Sequence, residues 1–117
     1  MPRKTAKHLE DIRDAAEFIG DTLRGRTLED YRRDRMVRQA VERNLEIIGE
    51  AVNRLVKDEE TAASELGDYR RIIAFRNVLA YGYDLVDDER VWQVIQESLP
   101  VLKQRAEAML SEVDREG

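Results

Sequence analysis

The sequence predicts an all-α fold, an antiparallel up-and-down bundle of four to five helices with a kink in the last. Three observations predict it. Four long segments carry apolar residues at spacings of three and four, the period of a helix with one buried face. No stretch alternates in the manner of a strand or reads as a hairpin, and the connections are short, as in bundles whose neighbours run antiparallel. Charged residues make up 38% of the chain against 42% apolar, with two prolines and six glycines, which suits helices with solvated outer faces around a real core. At 117 residues the chain is read as one domain, residues 1–117.

The first helix is expected over about Ala6 to Leu23, with Leu9, Ile12, Ala16, Ile19 and Leu23 as its stripe. Gly20 and Gly25 stand near its end, and Gly25 fits a C-terminal cap. Thr27-Leu28-Glu29-Asp30 reads as a new start, since Thr27 can cap and the two carboxylates complement the helix dipole. The second long helix reaches about Lys57 on Val37, Val41, Leu45, Ile48, Val52 and Leu55; whether residues 28–34 join it is left open. Gly49 inside this helix costs about 1 kcal/mol relative to alanine, so a close packing partner is expected there, in the core. Asp58 to Gly67 is read as a connection or a short exposed helix. A third helix from Asp68 carries Ile72, Ile73, Phe75 and Leu79, with Gly82 placed to end it in the left-handed region. The last helix runs from about Asp88 to Val113 on Val91, Ile95, Leu99, Leu102, Ala106, Met109 and Val113, and Pro100 predicts its kink. Ile47-Ile48, Ala51-Val52 and Leu55-Val56 widen the apolar face beyond one stripe, a surface a homodimer would cover.

Composition narrows the function classes. There is no cysteine, which excludes disulfides and thiolate metal sites and fits a cytoplasmic location. No apolar run approaches the roughly 20 residues of a membrane span, and the basic N-terminus lacks the apolar block of a signal peptide. A net charge of −5 argues against non-specific coating of nucleic acid but leaves room for a local basic cleft. Arginine supplies 16 of the 20 basic residues, a bias compatible with phosphate pairing and equally with base composition or heat adaptation. No metal or other cofactor is expected: the chain has one histidine and no Glu-x-x-His pattern. That histidine, His8, lies far in sequence from the segment below; of a substitute base there and a surface or capping role, the latter is expected for it. The acidic runs Asp58-Glu59-Glu60 and Asp87-Asp88-Glu89 read as solvated helix starts.

The chemically loaded segment is Arg76-Asn77-Val78-Leu79-Ala80-Tyr81-Gly82-Tyr83. Asn77 and Tyr81 are spaced i, i+4 and therefore adjacent on a helix. Tyr81 lies roughly 140° round the axis from Arg76 at about 100° per residue, on the flank of the face that holds it. Arg76, Asn77 and Tyr81 can thus line one wall near the helix end, while Tyr83 follows the glycine break. The residues alone leave two readings: a polar site, or an arginine paired with an acidic neighbour beside tyrosines that cap the core. Glu50, next to Gly49 on a mostly apolar helix, is either solvent-facing or a partly buried carboxylate that wants a cation such as Arg76.

This segment resembles the signature of the HepT-like proteins, a branch of the HEPN superfamily of helical ribonuclease toxins: an arginine followed by asparagine, then a histidine, one residue, and a tyrosine. The resemblance extends to His8-Leu9-Glu10-Asp11-Ile12 in the opening helix, to Ala40-Val41-Glu42-Arg43-Asn44-Leu45-Glu46-Ile47-Ile48-Gly49-Glu50-Ala51, and to Val86-Asp87-Asp88-Glu89-Arg90-Val91-Trp92, together spanning roughly residues 7 to 110. It implies an antiparallel homodimer with the Arg-to-Tyr segments facing across a cleft, and metal-independent cleavage of tRNA or mRNA by attack of the ribose 2′-hydroxyl on the adjacent phosphate. Arg76 would bind the phosphate and Asn77 would help hold the site. It implies a type VII toxin–antitoxin pairing with an MntA-type nucleotidyltransferase, able to silence the toxin by AMPylation of the motif tyrosine, here Tyr83.

The chain departs from the family at one position. Tyr81 stands where the motif has histidine. Tyrosine titrates near about 10 and histidine near about 6.5, so Tyr81 is a poor proton carrier at neutral pH. Loss of such assistance costs about 10²–10⁴-fold, and a weakened or silent ribonuclease is expected. The alternatives are a non-catalytic helical dimer that binds the nucleotidyltransferase partner, or a nucleotide-binding module.

Overall fold

The computed structural model describes the backbone of residues 2–82 and 86–116 and the side chains of 2–82 and 86–112. Seven helical segments are found among them: α1 (Arg3–Leu23), α2 (Leu28–Arg33), α3 (Arg35–Asp58), α4 (Glu60–Glu65), α5 (Tyr69–Tyr81), α6 (Asp88–Glu97) and α7 (Leu99–Glu116). Four long rods, α1, α3, α5 and the α6–α7 pair, form the bundle; α2 and α4 are single short turns of helix between them. Thr5 and His8 at the start of α1 hydrogen-bond Glu59 and Asp58 at the end of α3, at 2.6 and 2.9 Å, so these two rods run antiparallel. Tyr69 at the start of α5 faces Glu60, while Arg76 further on reaches back to Glu50, so α5 returns along α3.

α2, α3 and α6 start where a side chain satisfies a free amide of the first turn. Thr27 and Asp30 form a reciprocal capping box that opens α2. Asp34 then ends α2 and caps α3 by accepting from the Val37 amide at 3.1 Å, which resolves residues 28–34 as a separate turn. Asp87 caps α6 through the Glu89 amide at 3.0 Å. The described stripe residues of α1, α3 and the α6–α7 pair are all buried as their spacing requires, and they meet in one continuous core.

Two details differ from the sequence expectation, at Gly82 and in the 58–67 connection, while the kink expected of the last helix is present. Gly82 closes α5 with φ −114°, its amide bonded to the Val78 carbonyl at 2.8 Å, so the left-handed conformation expected there is absent. Left-handed glycines stand instead at Gly25, as expected, and at Gly67 after α4. The 58–67 connection is not simply exposed, because Ala62, Ala63 and Leu66 are small enough to pack into the core while the acids around them stay wet. The last helix breaks at Ser98, two residues before the proline. Pro100 has no amide to donate and its ring crowds the carbonyl four residues back. It therefore sits in the first turn of a restarted helix, where no donor is needed.

Candidate active site

Gly49 explains how an arginine stem can enter the bundle. A Cβ built there would clash with Cβ and Cγ of Arg76, whose Cα lies 3.6 Å from the same point. The missing side chain on α3 lets α5 approach closely and routes the Arg76 stem over the glycine. The expected close packing at Gly49 is thus real, and the partner is the stem of a polar residue.

Beyond the stem, the Arg76 guanidinium donates from Nη2 to Glu50 Oε2 at 2.8 Å and from Nη1 to Asn77 Oδ1 at 3.0 Å. The Tyr81 ring lies against it, 5.9 Å from Cζ to ring centroid, at cation–π range. The Arg76 side chain is only 23% exposed and its guanidinium is held on three sides, with the partly buried Glu50 as its ionic partner. The second oxygen of Glu50 accepts from Arg54 Nε at 3.2 Å. The structure therefore brings Arg76, Asn77, Tyr81 and Glu50 together. Tyr81 itself is 81% exposed. Tyr83 lies outside the described residues.

Of these groups, Arg76 and Glu50 line a groove between α1 and α3 of about 580 Å³, part of it open to solvent, together with His8, Asp11, Arg43, Glu46 and Arg54 among others. Glu50 and Arg76 were singled out by the sequence as site residues, whereas Asp11, Arg43, Glu46 and Arg54 were not. Arg43, Glu50 and Arg54 recur at seven and four residues, one face of α3, so the same periodicity that marks a core stripe could have found the two arginines. The groove gathers three guanidinium groups and three carboxylates, Asp11, Glu46 and Glu50, with Arg43 paired to Glu46 and both Arg54 and Arg76 paired to Glu50.

His8 is also corrected. It is 9% exposed, not a surface residue, and Nε2 sits 2.9 Å from Asp58 Oδ2. The hydrogen bond from His8 holds the Asp58 carboxyl below the usual carboxylate range, the largest of several causes that include Lys4 and Arg54. Packing α1 antiparallel to α3 brings this histidine to the groove that holds Arg76, which separation in sequence concealed. Among the described residues, no group of three or more His, Asp or Glu is placed to hold a metal ion. No described helix is long and apolar enough to cross a membrane.

On its other side α5 leaves a stripe uncovered. Ala74, Asn77, Val78 and Tyr81, at helical spacing, are all exposed. Beside it an apolar groove of about 720 Å³ runs between α5 and α6, lined by Ile72, Phe75, Val78, Val86, Val91 and Val94 among others.

Comparison with known proteins agrees with this architecture. The Ribonuclease HepT-like family matches residues 12–109. The chain belongs to the HepT-like family. It is 34% identical over 109 residues to a protein of Thermococcus cleftensis named as a probable ribonuclease HepT, covering 93% of this chain and 98% of that one. It is 31% identical over 103 residues to a candidate RNase of Caldanaerobacter subterraneus subsp. tengcongensis, covering 88% and 91%. A candidate RNase of Methanocaldococcus jannaschii is 29% identical over 99 residues, covering 85% and 86%. No solved structure matches the chain.

Proposed function

We propose that this HepT-like protein is the toxin component of a type VII toxin–antitoxin pair, a ribonuclease that acts on RNA in a cleft between two copies of the chain and is weakened by Tyr81. The observation that carries this reading is the Arg76 guanidinium, fixed by Glu50 and Asn77 at the mouth of a groove with Tyr81 beside it. A guanidinium held in one orientation offers paired donors to a phosphate and costs little reorganisation as charge builds on the phosphoryl oxygens. Arg76 binds the scissile phosphate, Asn77 keeps the guanidinium in register, and Glu50 anchors it from behind. The stripe Ala74, Asn77, Val78 and Tyr81 meets its counterpart across the dimer axis, which puts both Arg76 side chains on one cleft. An MntA-type nucleotidyltransferase neutralises the toxin, with Tyr83 as the acceptor of AMP; bulk and negative charge beside Arg76 would repel RNA.

The test is RNA cleavage by the chain, by Tyr81→His and by the double variant that adds Arg76→Ala. Tyr81→His is expected to raise the rate about 10²–10⁴-fold, the usual worth of a well-placed acid–base group, and Arg76→Ala to abolish the gain. Equal rates for the chain and Tyr81→His remove the role given to position 81.

A second reading is favoured by Tyr81 and by the net charge of −5: a non-catalytic dimer that works by binding its nucleotidyltransferase partner. It wins if Tyr81→His stays inert on RNA while the partner still binds.

A further inference from the structure

We propose that His8, oriented by Asp58, is a catalytic base of the α1–α3 groove and carries the RNA cleavage that the chain retains with Tyr81 in the motif position. The inference rests on the ribonuclease reading above and adds a residue that lies outside the family signature.

The geometry has the parts of a base dyad. Nε2 of His8 is engaged by Asp58 Oδ2 at 2.9 Å, which fixes the ring and leaves Nδ1 as the nitrogen able to take a proton; no hydrogen-bond partner for Nδ1 is found among the described residues. A carboxylate behind an imidazole selects its tautomer and stabilises the imidazolium once it forms. The hydrogen bond from His8 favours the ionised form of Asp58 and lowers its carboxyl from the usual range. The backbone around the dyad is tied down, since buried Thr5 donates to Glu59 at 2.6 Å one turn before His8. The same groove presents Arg76, Arg54 and Arg43, so a phosphodiester seated on the arginines lies in the pocket that His8 lines.

The step balances without a co-reactant. The ribose 2′-oxygen attacks phosphorus and its proton passes to Nδ1 of His8. A 2′-oxygen–phosphorus bond forms and the bond to the 5′-oxygen breaks. The 5′-oxygen takes a proton from water and the imidazolium later returns its own to water. The products are a 2′,3′-cyclic phosphate and a 5′-hydroxyl end.

His8 is the chain's single histidine, so its imidazole gives one unambiguous set of nuclear magnetic resonance signals. The probe is an RNA oligonucleotide with 2′-methoxy groups, which binds but cannot react; its binding is measured separately by fluorescence anisotropy. The expected result is that the imidazole signals of the unmutated chain move in step with binding, and that His8→Asn slows cleavage of ordinary RNA at least about tenfold with oligonucleotide affinity unchanged. If the oligonucleotide binds and the imidazole signals stay still, or His8→Asn cleaves at the original rate, His8 is only a tie between α1 and α3 and the proposal is overturned while the RNA reading stands. A chain that binds the oligonucleotide and never cleaves RNA overturns it as well. Failure to bind the oligonucleotide at all removes both readings. Should His8→Asn not fold, the signals of the unmutated chain and the cleavage rate of Asp58→Asn decide, the latter expected to fall in the same direction.

Discussion

At the scale of single residues, one fully buried side-chain polar atom among the described residues lacks a hydrogen-bond partner. Tyr31 is fully buried on α2 with its ring 5.9 Å from that of Trp92, and its hydroxyl has no hydrogen-bond partner among the described residues. Burial, with help from Glu42 and Asp88, pushes that phenol far above the ordinary tyrosine range. An unsatisfied buried hydroxyl costs free energy that an apolar ring of the same shape avoids. Tyr31→Phe is therefore expected to raise stability by up to about 1 kcal/mol in a denaturant titration; a loss of that size would mean that the hydroxyl has a partner. Glu42, half-buried nearby, is pushed upward by burial and by Asp88. Its charged form is disfavoured in the fold, so Glu42→Gln should raise the melting temperature at neutral pH, with the gain vanishing as pH falls below the carboxylate range.

At the scale of helices, the α3–α5 contact decides the site. An alanine inside a helix normally gains about 1 kcal/mol over glycine. At Gly49 the new methyl would fall on the near end of the Arg76 stem, which cannot swing aside as a guanidinium tip could. Gly49→Ala is expected to cost about 1–3 kcal/mol, as overpacking does, and to part Arg76 from Glu50. Thermal unfolding would show the first effect and RNA affinity the second; a stabilised variant would contradict the contact. This element also shows what the sequence made legible. The stripes of α1, α3 and the α6–α7 pair follow from spacing alone, and so does the need for something close to Gly49. The partner was not readable, because it comes from another helix through tertiary packing. The kink that Pro100 predicts is present, and it falls at Ser98 because a proline disrupts what precedes it. Gly82 was read as left-handed because glycine permits that conformation, yet permission is not a requirement.

At the scale of the molecule, an acidic chain collects arginines in one groove and leaves one helix face bare. Val78 is 45% exposed in the middle of that face. A glutamate there would put two like charges across the proposed dimer axis in a desolvated seam. Val78→Glu should sediment as a monomer with helicity unchanged; a persisting dimer would place the interface elsewhere. Family membership was legible because four blocks occur in the right order. The groove was not, since His8 and Arg76 come to line it only after α1 and α5 have both packed on α3.

The carboxylate that anchors Arg76 has a consequence for what can enter the site. Glu50 already occupies one edge of the guanidinium with negative charge, so any visiting anion meets a resident rival. A lone chloride or inorganic phosphate gains little by evicting it. A chain of phosphodiesters long enough to touch Arg43 and Arg54 as well can bind without displacing it, through the remaining donors, so the groove selects for length before it selects for sequence.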